Sequence, residues 1–403
     1  MKKVLVFTST FPSFVQGDAT PPFVYELSER LAKKWLDITV LTPRVPGSKN
    51  YEIKDNMKIY RYPYFFRSSW EKLNDWAILP NIKKNKRLIF QIPFLFIGGF
   101  VALIKIVRKE NIETIHAHWL IPQWLLACIY KKIWNKKIKI LCTTHGGDIF
   151  GIRGRFWTFL KKFVLNTITH LTVVSSAIKI EVQRLNPPMI LPIHVIPMGV
   201  DTDNFNPNNY DESIKKKYNV NWPLLLFVGR LAEKKWVKYL IDAMPAIIKK
   251  YSTVKLLIIW WWPLEEELWR QSEQLKLHNN VIFTWPVMHK YLPKYFATAD
   301  IFVWPSVIAK DGDSEGFGLV FVEAILSWCI TIWSNLYGIT DIIQNGETWY
   351  LVESWNSKDI EQKIAFCLEN IETLQSQREN RIKYIADKFG WKVISERYFN
   401  LLK

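Results

Sequence analysis

Glu315-Gly316-Phe317-Gly318-Leu319-Val320-Phe321-Val322-Glu323 sets two carboxylates eight residues apart across a glycine-rich loop that runs into an apolar helix. Gly316 and Gly318 let the backbone pass close to a ligand, and the first free N–H groups of the following helix form an anion site. A diphosphate suits that position. Glu315, on the loop, and Glu323, deeper in the helix, then offer carboxylate oxygens to hydroxyl groups of a ligand held there. Alone, two glutamates flanking an apolar run are more often a cap and a solvated face. Upstream, the apolar run Phe227-Val228-Gly229-Arg230-Leu231 is followed by Lys234, Lys235 and the helical pattern Val237, Leu240, Ile241. A planar guanidinium and a flexible ammonium near a helix start suit two phosphates whose leaving group gains negative charge. A plain basic surface cluster is the weaker reading there, because the residues stand between a strand and a helix.

These segments resemble the E-x7-E and G-R-L-x-x-K-K-G elements of the GT4 family of retaining glycosyltransferases. Ile115-His116-Ala117-His118-Trp119, Thr143-Thr144-His145-Gly146-Gly147-Asp148 and Val195-Ile196-Pro197-Met198-Gly199-Val200-Asp201 are similar to that family's H-A-H-W, H-G-x-D and I-P-N-G-V-D segments, in the family's order. The resemblance implies that His145 lies by the donor sugar and that Asp148 orients the acceptor or the loop. It also implies a retaining mechanism without a metal ion. His116 and His118 alternate along a strand and read as packed or hydrogen-bonded core residues, since no third ligand stands at a recognisable spacing.

A chain of 403 residues is long for one core and fits two α/β domains. Strand-like runs at Val4–Thr8, Ile38–Thr42, Thr114–His118, Ile138–Thr143 and Leu171–Val174 alternate with helical stretches. The pattern restarts at Leu224–Val228, Val254–Ile259, Val281–Thr284, Ile301–Val303 and Ile330–Ile332. Asn186-Pro187-Pro188 and Asn206-Pro207-Asn208-Asn209 are linker compositions. The domains are therefore placed at 1–195, acceptor-binding, and 196–380, donor-binding. The family's GT-B architecture implies two facing Rossmann-like domains with a cleft between them. It also implies that the tail, 381–403, is a helix crossing back to the first domain, with Phe389, Val393, Ile394 and Phe399 in helical spacing.

Cys128, Cys142, Cys329 and Cys367 lack C-x-x-C spacing and read as reduced, buried thiols of a cytoplasmic protein. The N-terminus reads as a first buried strand, its apolar run cut by Thr8, Ser9 and Thr10. Leu88–Val107 has the length of a membrane span, but Gln91, Pro93, Gly98, Gly99 and Lys105 interrupt it. A span would also part the first strand from its sheet. Just upstream, Lys83, Lys84, Lys86 and Arg87 follow Phe65, Phe66, Trp70 and Trp76. Two readings stand side by side there, a peripheral contact with an anionic membrane and an acceptor loop with no membrane role. The net charge of +17 comes with no nucleic-acid recognition motif, and the basic residues are spread along the chain.

The chain holds 20 Trp and only 16 Gly, where about 28 Gly would be ordinary for this length. Trp35, Trp236, Trp260, Trp262, Trp285, Trp328, Trp349 and Trp355 stand where turns or helix ends want glycine. A UGA codon read as glycine by the source but rendered as tryptophan would produce this pattern, against the rival of a natural Trp-rich enzyme. Trp119 and Trp391 read as genuine. Other departures from the family are Gly17-Asp18-Ala19-Thr20-Pro21-Pro22 for a glycine-rich loop, leaving Gly17 the acceptor-side contact, Met198 for Asn, and Tyr337-Gly338-Ile339-Thr340-Asp341 for a Gly-Gly segment.

The expectation is a retaining glycosyltransferase that moves a sugar from a UDP- or GDP-linked donor to a glycan or glycolipid hydroxyl. Catalytic roles fall to His145, Arg230, Lys235 and Glu315; the donor is bound by Arg230, Lys235, Glu315, Gly316, Phe317, Gly318, Leu319, Val320 and Glu323. Asp148 and Gly17 serve the acceptor, and no cofactor or nucleic acid is expected. Rival readings are a sugar-nucleotide epimerase of the same fold and a non-catalytic membrane-associated relative.

Overall fold

Apolar runs buried on both faces form parallel strands, and they organise both halves of the chain. The computed structural model describes residues 1–403 apart from 17, 19, 75–77, 151–153, 186–190, 262–264, 311–314, 337–340, 344–345 and 347–348. Gly17, Trp76, Trp262, Asn186-Pro187-Pro188 and residues 337–340 thus lie outside the described residues, as do the side chains of Lys83 and Trp260. The chain divides into two compact units, Met1–Gly199 with Trp391–Lys403, and Val200–Gly390. The sequence reading drew its limits at 195 and 380. The later limit moves to Gly390 because the helix Arg378–Phe389 stays with the second unit.

The first unit is an eight-stranded sheet of β1 (Lys2–Phe7), β2 (Leu36–Pro43), β3 (Tyr51–Lys54), β4 (Met57–Tyr62), β5 (Thr114–His118), β6 (Lys139–Thr144), β7 (His170–Val173) and β8 (Ile193–Val195). The order is β3-β4-β2-β1-β5-β6-β7-β8, parallel except for the β3–β4 hairpin. That hairpin turns at Asp55-Asn56, with φ of 48° and 60°, the left-handed pair a tight hairpin turn requires. β1 lies between β2 and β5, where chain order reverses. Such reversals hold ligands at the carboxyl ends of their strands. The helix Ile92–Lys109 buries Leu95, Leu103, Ile106 and Val107 against β2, β4 and the helix Leu125–Ile133. It belongs to the one described segment, Lys86–Lys109, long and apolar enough to cross a membrane. Its approach to the strand layer is close, since a Cβ on Gly98 would lie 2.7 Å from the Pro63 carbonyl oxygen.

The tail helix, Trp391–Leu402, buries Trp391, Ile394, Tyr398 and Leu402. This corrects the expected face: Val393 is exposed, and Phe389 belongs to the preceding helix. Gly390 interrupts the helix and resets its phase, so a spacing counted from Phe389 picks the wrong side.

The second unit is a six-stranded, fully parallel sheet of β9 (Leu224–Arg230), β10 (Lys255–Trp261), β11 (Val281–Thr284), β12 (Ile301–Trp304), β13 (Ile330–Ser334) and β14 (Tyr350–Val352). Its order is β11-β10-β9-β12-β13-β14, so the reversal lies at β9 and β12. The helix Leu319–Leu326 follows Gly318 and is buried from Phe321 to Leu326. All four cysteines are buried and unbridged.

Tryptophan takes backbone conformations that suit glycine. Trp35, Trp236, Trp328 and Trp355 have φ of 69°, 38°, 71° and 68°. Trp119 joins them at 71°.

Candidate functional site

In the second unit the functional side chains gather at the carboxyl ends of β9 and β12. Arg230 closes β9, and the chain then makes one tight turn, Glu233–Lys235, that turns Lys235 inward. Lys235 is buried and its ammonium donates to the Glu315 carboxylate. The same Nζ lies 3.3 Å from the centroid of the Trp304 ring. Burial brings the Lys235 amine down to about 7, although Glu315 opposes that. Burial alone would raise Glu315; Lys235, Lys234 and Arg230 overcome it and bring the carboxyl down to about 2. Below neutral pH the pair is therefore ionised, with Lys234 and Arg230 as two further cations acting on it, and an added anion would be drawn there.

Gly318 takes φ of 90° directly before the helix Leu319–Leu326. Only a residue without a side chain fits, because a Cβ there would lie 2.2 Å from the Trp333 ring. Phe317 anchors the loop by packing on Phe389, ring centroids 5.5 Å apart. This geometry leaves Leu319 and Val320 in the first turn, where backbone N–H groups lack intrahelical partners. Glu323 lies on the same helix and is buried; its Oε1 meets His289 Nε2 at 3.0 Å. Its Oε2 is buried with no hydrogen-bond partner among the described residues. An oxygen in that condition is suited to a hydroxyl donor.

In the first unit, β5 and β6 run side by side with His118 opposite Thr143. That register carries His145, two residues on, to His118: Nδ1 of His118 and Nε2 of His145 are 3.1 Å apart. His145 also packs against Trp119 at 4.5 Å and Phe23 at 5.1 Å between ring centroids. Burial lowers His145 to about 3, so the imidazole is neutral. His116 Nε2 bonds Thr143 Oγ1 at 2.8 Å, and burial with the neighbouring His145 also lowers it to about 3. Asp148 Oδ2 accepts from the Leu120 N–H at 2.9 Å, and Oδ1 from the Thr144 hydroxyl at 2.6 Å and the Gly146 N–H at 3.1 Å. Its oxygens tie the loops after β5 and β6 together.

The structure thus joins Lys235 to Glu315 with Arg230 close enough to act on both, and sets Gly318 and Glu323 on one helix. It joins His145 to His118, which the sequence reading left in the core. Sequence reasoning also passed over His289, a lone histidine in a short turn, and Trp304, whose ring covers Lys235.

A family model described as glycosyl transferases group 1 matches residues 210–384, and one described as glycosyltransferase family 4 matches residues 22–204. Similar proteins include N-acetyl-α-D-glucosaminyl L-malate synthase of Bacillus anthracis, 22% identical over 93% of this chain and 90% of the relative. GDP-mannose-dependent α-(1-6)-phosphatidylinositol monomannoside mannosyltransferase of Mycobacterium tuberculosis is 24% identical over 75% of this chain and 79% of its own. Among solved structures, sucrose-phosphate synthase from Thermosynechococcus elongatus superposes with a TM-score of 0.80 at 18% identity, covering 100% of this chain and 98% of that one. HepE of Anabaena, in complex with UDP and glucose, gives 0.72 at 15% identity, covering 100% and 99%.

Proposed function

The chain belongs to the GT4-type glycosyltransferases and has the GT-B fold, and from this we propose a retaining enzyme that takes its sugar from a UDP- or GDP-linked donor. The observation that carries the donor side is the buried Lys235–Glu315 pair with Arg230 at the end of β9, beside a glycine-started helix. In the proposed reaction the bond between the sugar C1 and the diphosphate oxygen breaks, and the acceptor oxygen bonds C1 on the same face. The acceptor's proton passes to the departing phosphate oxygen, so no protein base is needed. Arg230 and Lys235 meet the growing charge of the diphosphate, together with the N–H groups at Leu319 and Val320, and the reading calls for no metal. Glu315 holds sugar hydroxyls; its ion pair with Lys235 keeps it charged for that role. The unpartnered Oε2 of Glu323 accepts from the ribose. His145, neutral, stands by the reacting sugar, and Asp148 holds the acceptor-side loop.

The acceptor is read as a glycan or a lipid-linked sugar in a cytoplasmic setting, with the enzyme in peripheral contact with a membrane. The mycobacterial relative named above is a phosphatidylinositol mannoside mannosyltransferase, which supports a lipid-linked acceptor. The epimerase and non-catalytic alternatives gain no support, since the similar proteins named above are transferases or synthases. A thermal-shift screen over UDP-, GDP- and ADP-sugars, followed by anomer analysis of the product, tests the reading. Inversion at C1, or stabilisation by no nucleotide sugar, would overturn it.

A further inference from the structure

The helix Ile92–Lys109 buries one face and leaves the other to solvent. On that outer face Phe94, Ile97 and Val101 follow at helical spacing, with Ile97 63% and Val101 59% exposed. Lys105 and Arg108 continue the same stripe and are exposed too. Phe90, just before the helix, is 75% exposed, and Phe66, 77% exposed, packs its ring 5.5 Å from Phe94. Trp70 is held beside them by the hydrogen bond from Gln91 Nε2 to its carbonyl oxygen, 2.7 Å. The rim is basic, with exposed Arg67, Lys86 and Arg87. Among the described residues from 65 to 109 the one carboxylate, Glu71, is buried and bonded to Arg44.

We propose that this face docks the first unit onto an anionic phospholipid bilayer, the helix lying in the plane of the interface. A second copy of the chain is a poor occupant, because the basic rim would face itself. A bilayer takes both features, apolar and aromatic side chains at the acyl boundary and cations at the headgroups. Each basic residue near the surface strengthens binding about fivefold. The inference rests on the reading of a membrane-borne acceptor, and its test is independent of turnover. The full chain is sedimented with phosphatidylcholine vesicles, with or without phosphatidylglycerol. Expected is binding to the anionic vesicles, weakened by salt and reduced tenfold or more in Phe90→Ser/Ile97→Ser/Val101→Ser and in Arg87→Glu/Lys105→Glu, with unchanged melting curves. Equal binding by the variants, no binding to anionic vesicles, or a dimer in solution that the triple variant abolishes would overturn it. Transfer to a water-soluble acceptor reports separately on the proposed reaction.

Trp35, Trp236, Trp328 and Trp355 hold left-handed backbone, where a Cβ is disfavoured and glycine is not. Trp304 and Trp333, which the sequence reading passed over, have buried indole N–H groups with no partner among the described residues, as do Trp236, Trp349 and Trp119, the last of which stands in the H-A-H-W segment. Trp124 and Trp391, by contrast, donate to the Ala117 carbonyl and to Glu26, each at 2.8 Å. We infer that the native polypeptide carries glycine at 35, 236, 328, 349 and 355, and also at 304 and 333. Glycine at 304 removes the ring that covers Lys235, and glycine at 333 clears the space beside Gly318. Peptide mass spectrometry on protein from its native source tests it directly, with Trp124 and Trp391, whose indole N–H groups are bonded, as controls expected to stay tryptophan. Recombinant protein with Trp→Gly at the four left-handed positions, 35, 236, 328 and 355, is expected to melt about 10 °C or more above the chain with tryptophan there. Tryptophan in the native peptides, or a lower melting temperature in this four-fold variant, would overturn the inference.

Discussion

Lys235 donates its ammonium to the Glu315 carboxylate, and each group alters the proton affinity of the other. The folded Lys235 titrates at about 7, below its ordinary 10.5. Between those values only the unfolded chain keeps the proton, so this group makes stability rise with pH through that window. Glu315, at about 2 against an ordinary 4.5, adds a rise over that lower range. Lys235→Met is expected to flatten the alkaline part of a melting temperature profile. Glu315→Gln leaves a buried cation unpaired and is expected to cost about 3 kcal/mol, read by urea unfolding at pH 6.

Charges that act on a departing diphosphate are felt in turnover more than in binding. Arg230→Ala and Lys235→Ala, made in a chain with glycine at all seven inferred positions, are each expected to lower kcat by about 10²-fold. Glu323→Ala is expected to raise the donor KM instead, since lost ribose contacts weaken ground and transition states alike. Steady-state kinetics with matched melting curves separates the two patterns; full turnover in either cation variant contradicts the donor-site roles.

His116 and His145 are held neutral by burial at about 3, against an ordinary 6.5. In that interval the unfolded chain takes up protons that the folded chain refuses. Stability is therefore complete above about pH 6.5 and falls as pH drops toward 3. The melting temperature should fall between pH 6.5 and 4, and His116→Phe should fall less steeply. A profile unchanged by that substitution would count against the neutral buried pair.

Much of the fold was legible because a parallel strand buried on both faces reads as an unbroken apolar run, as in Val4–Phe7 and Leu224–Val228. β3 escaped notice because Tyr51–Lys54 is short and carries mostly exposed side chains. Arg230 at the end of β9, Lys235 in the turn after it and Glu315 in the glycine-rich loop were singled out through their likeness to the family's G-R-L-x-x-K-K-G and E-x7-E segments. The contact of His118 with His145 depends on strand register, which places residues 27 apart within 3.1 Å. No local pattern announces that. His289 is legible only through Glu323, its partner 34 residues away.

Asp148 ties two loops through three hydrogen bonds. Asp148→Ala leaves the buried Leu120 N–H unpaired, at about 1–3 kcal/mol, and leaves the Gly146 N–H only its longer bond to Thr144 Oγ1 at 3.3 Å. Loss of about 3 kcal/mol in urea unfolding is expected, with Asp148→Asn losing less because one acceptor survives.

Gly318 and Trp333 offer a test in which two substitutions interact. A Cβ at 318 meets the Trp333 ring at 2.2 Å and also forces a side chain into φ of 90°. In the chain as written, Gly318→Ala carries both penalties, the backbone cost of about 1–2 kcal/mol and an overpacking cost of about 1–3 more. In a Trp333→Gly background the collision disappears and the backbone cost alone remains. A double-mutant cycle read by urea unfolding is expected to show a coupling of at least about 1 kcal/mol in favour of the double variant. Additive losses would mean that the Trp333 ring does not crowd the start of the donor-site helix. The case for glycine at 333 would then rest on its buried indole N–H alone.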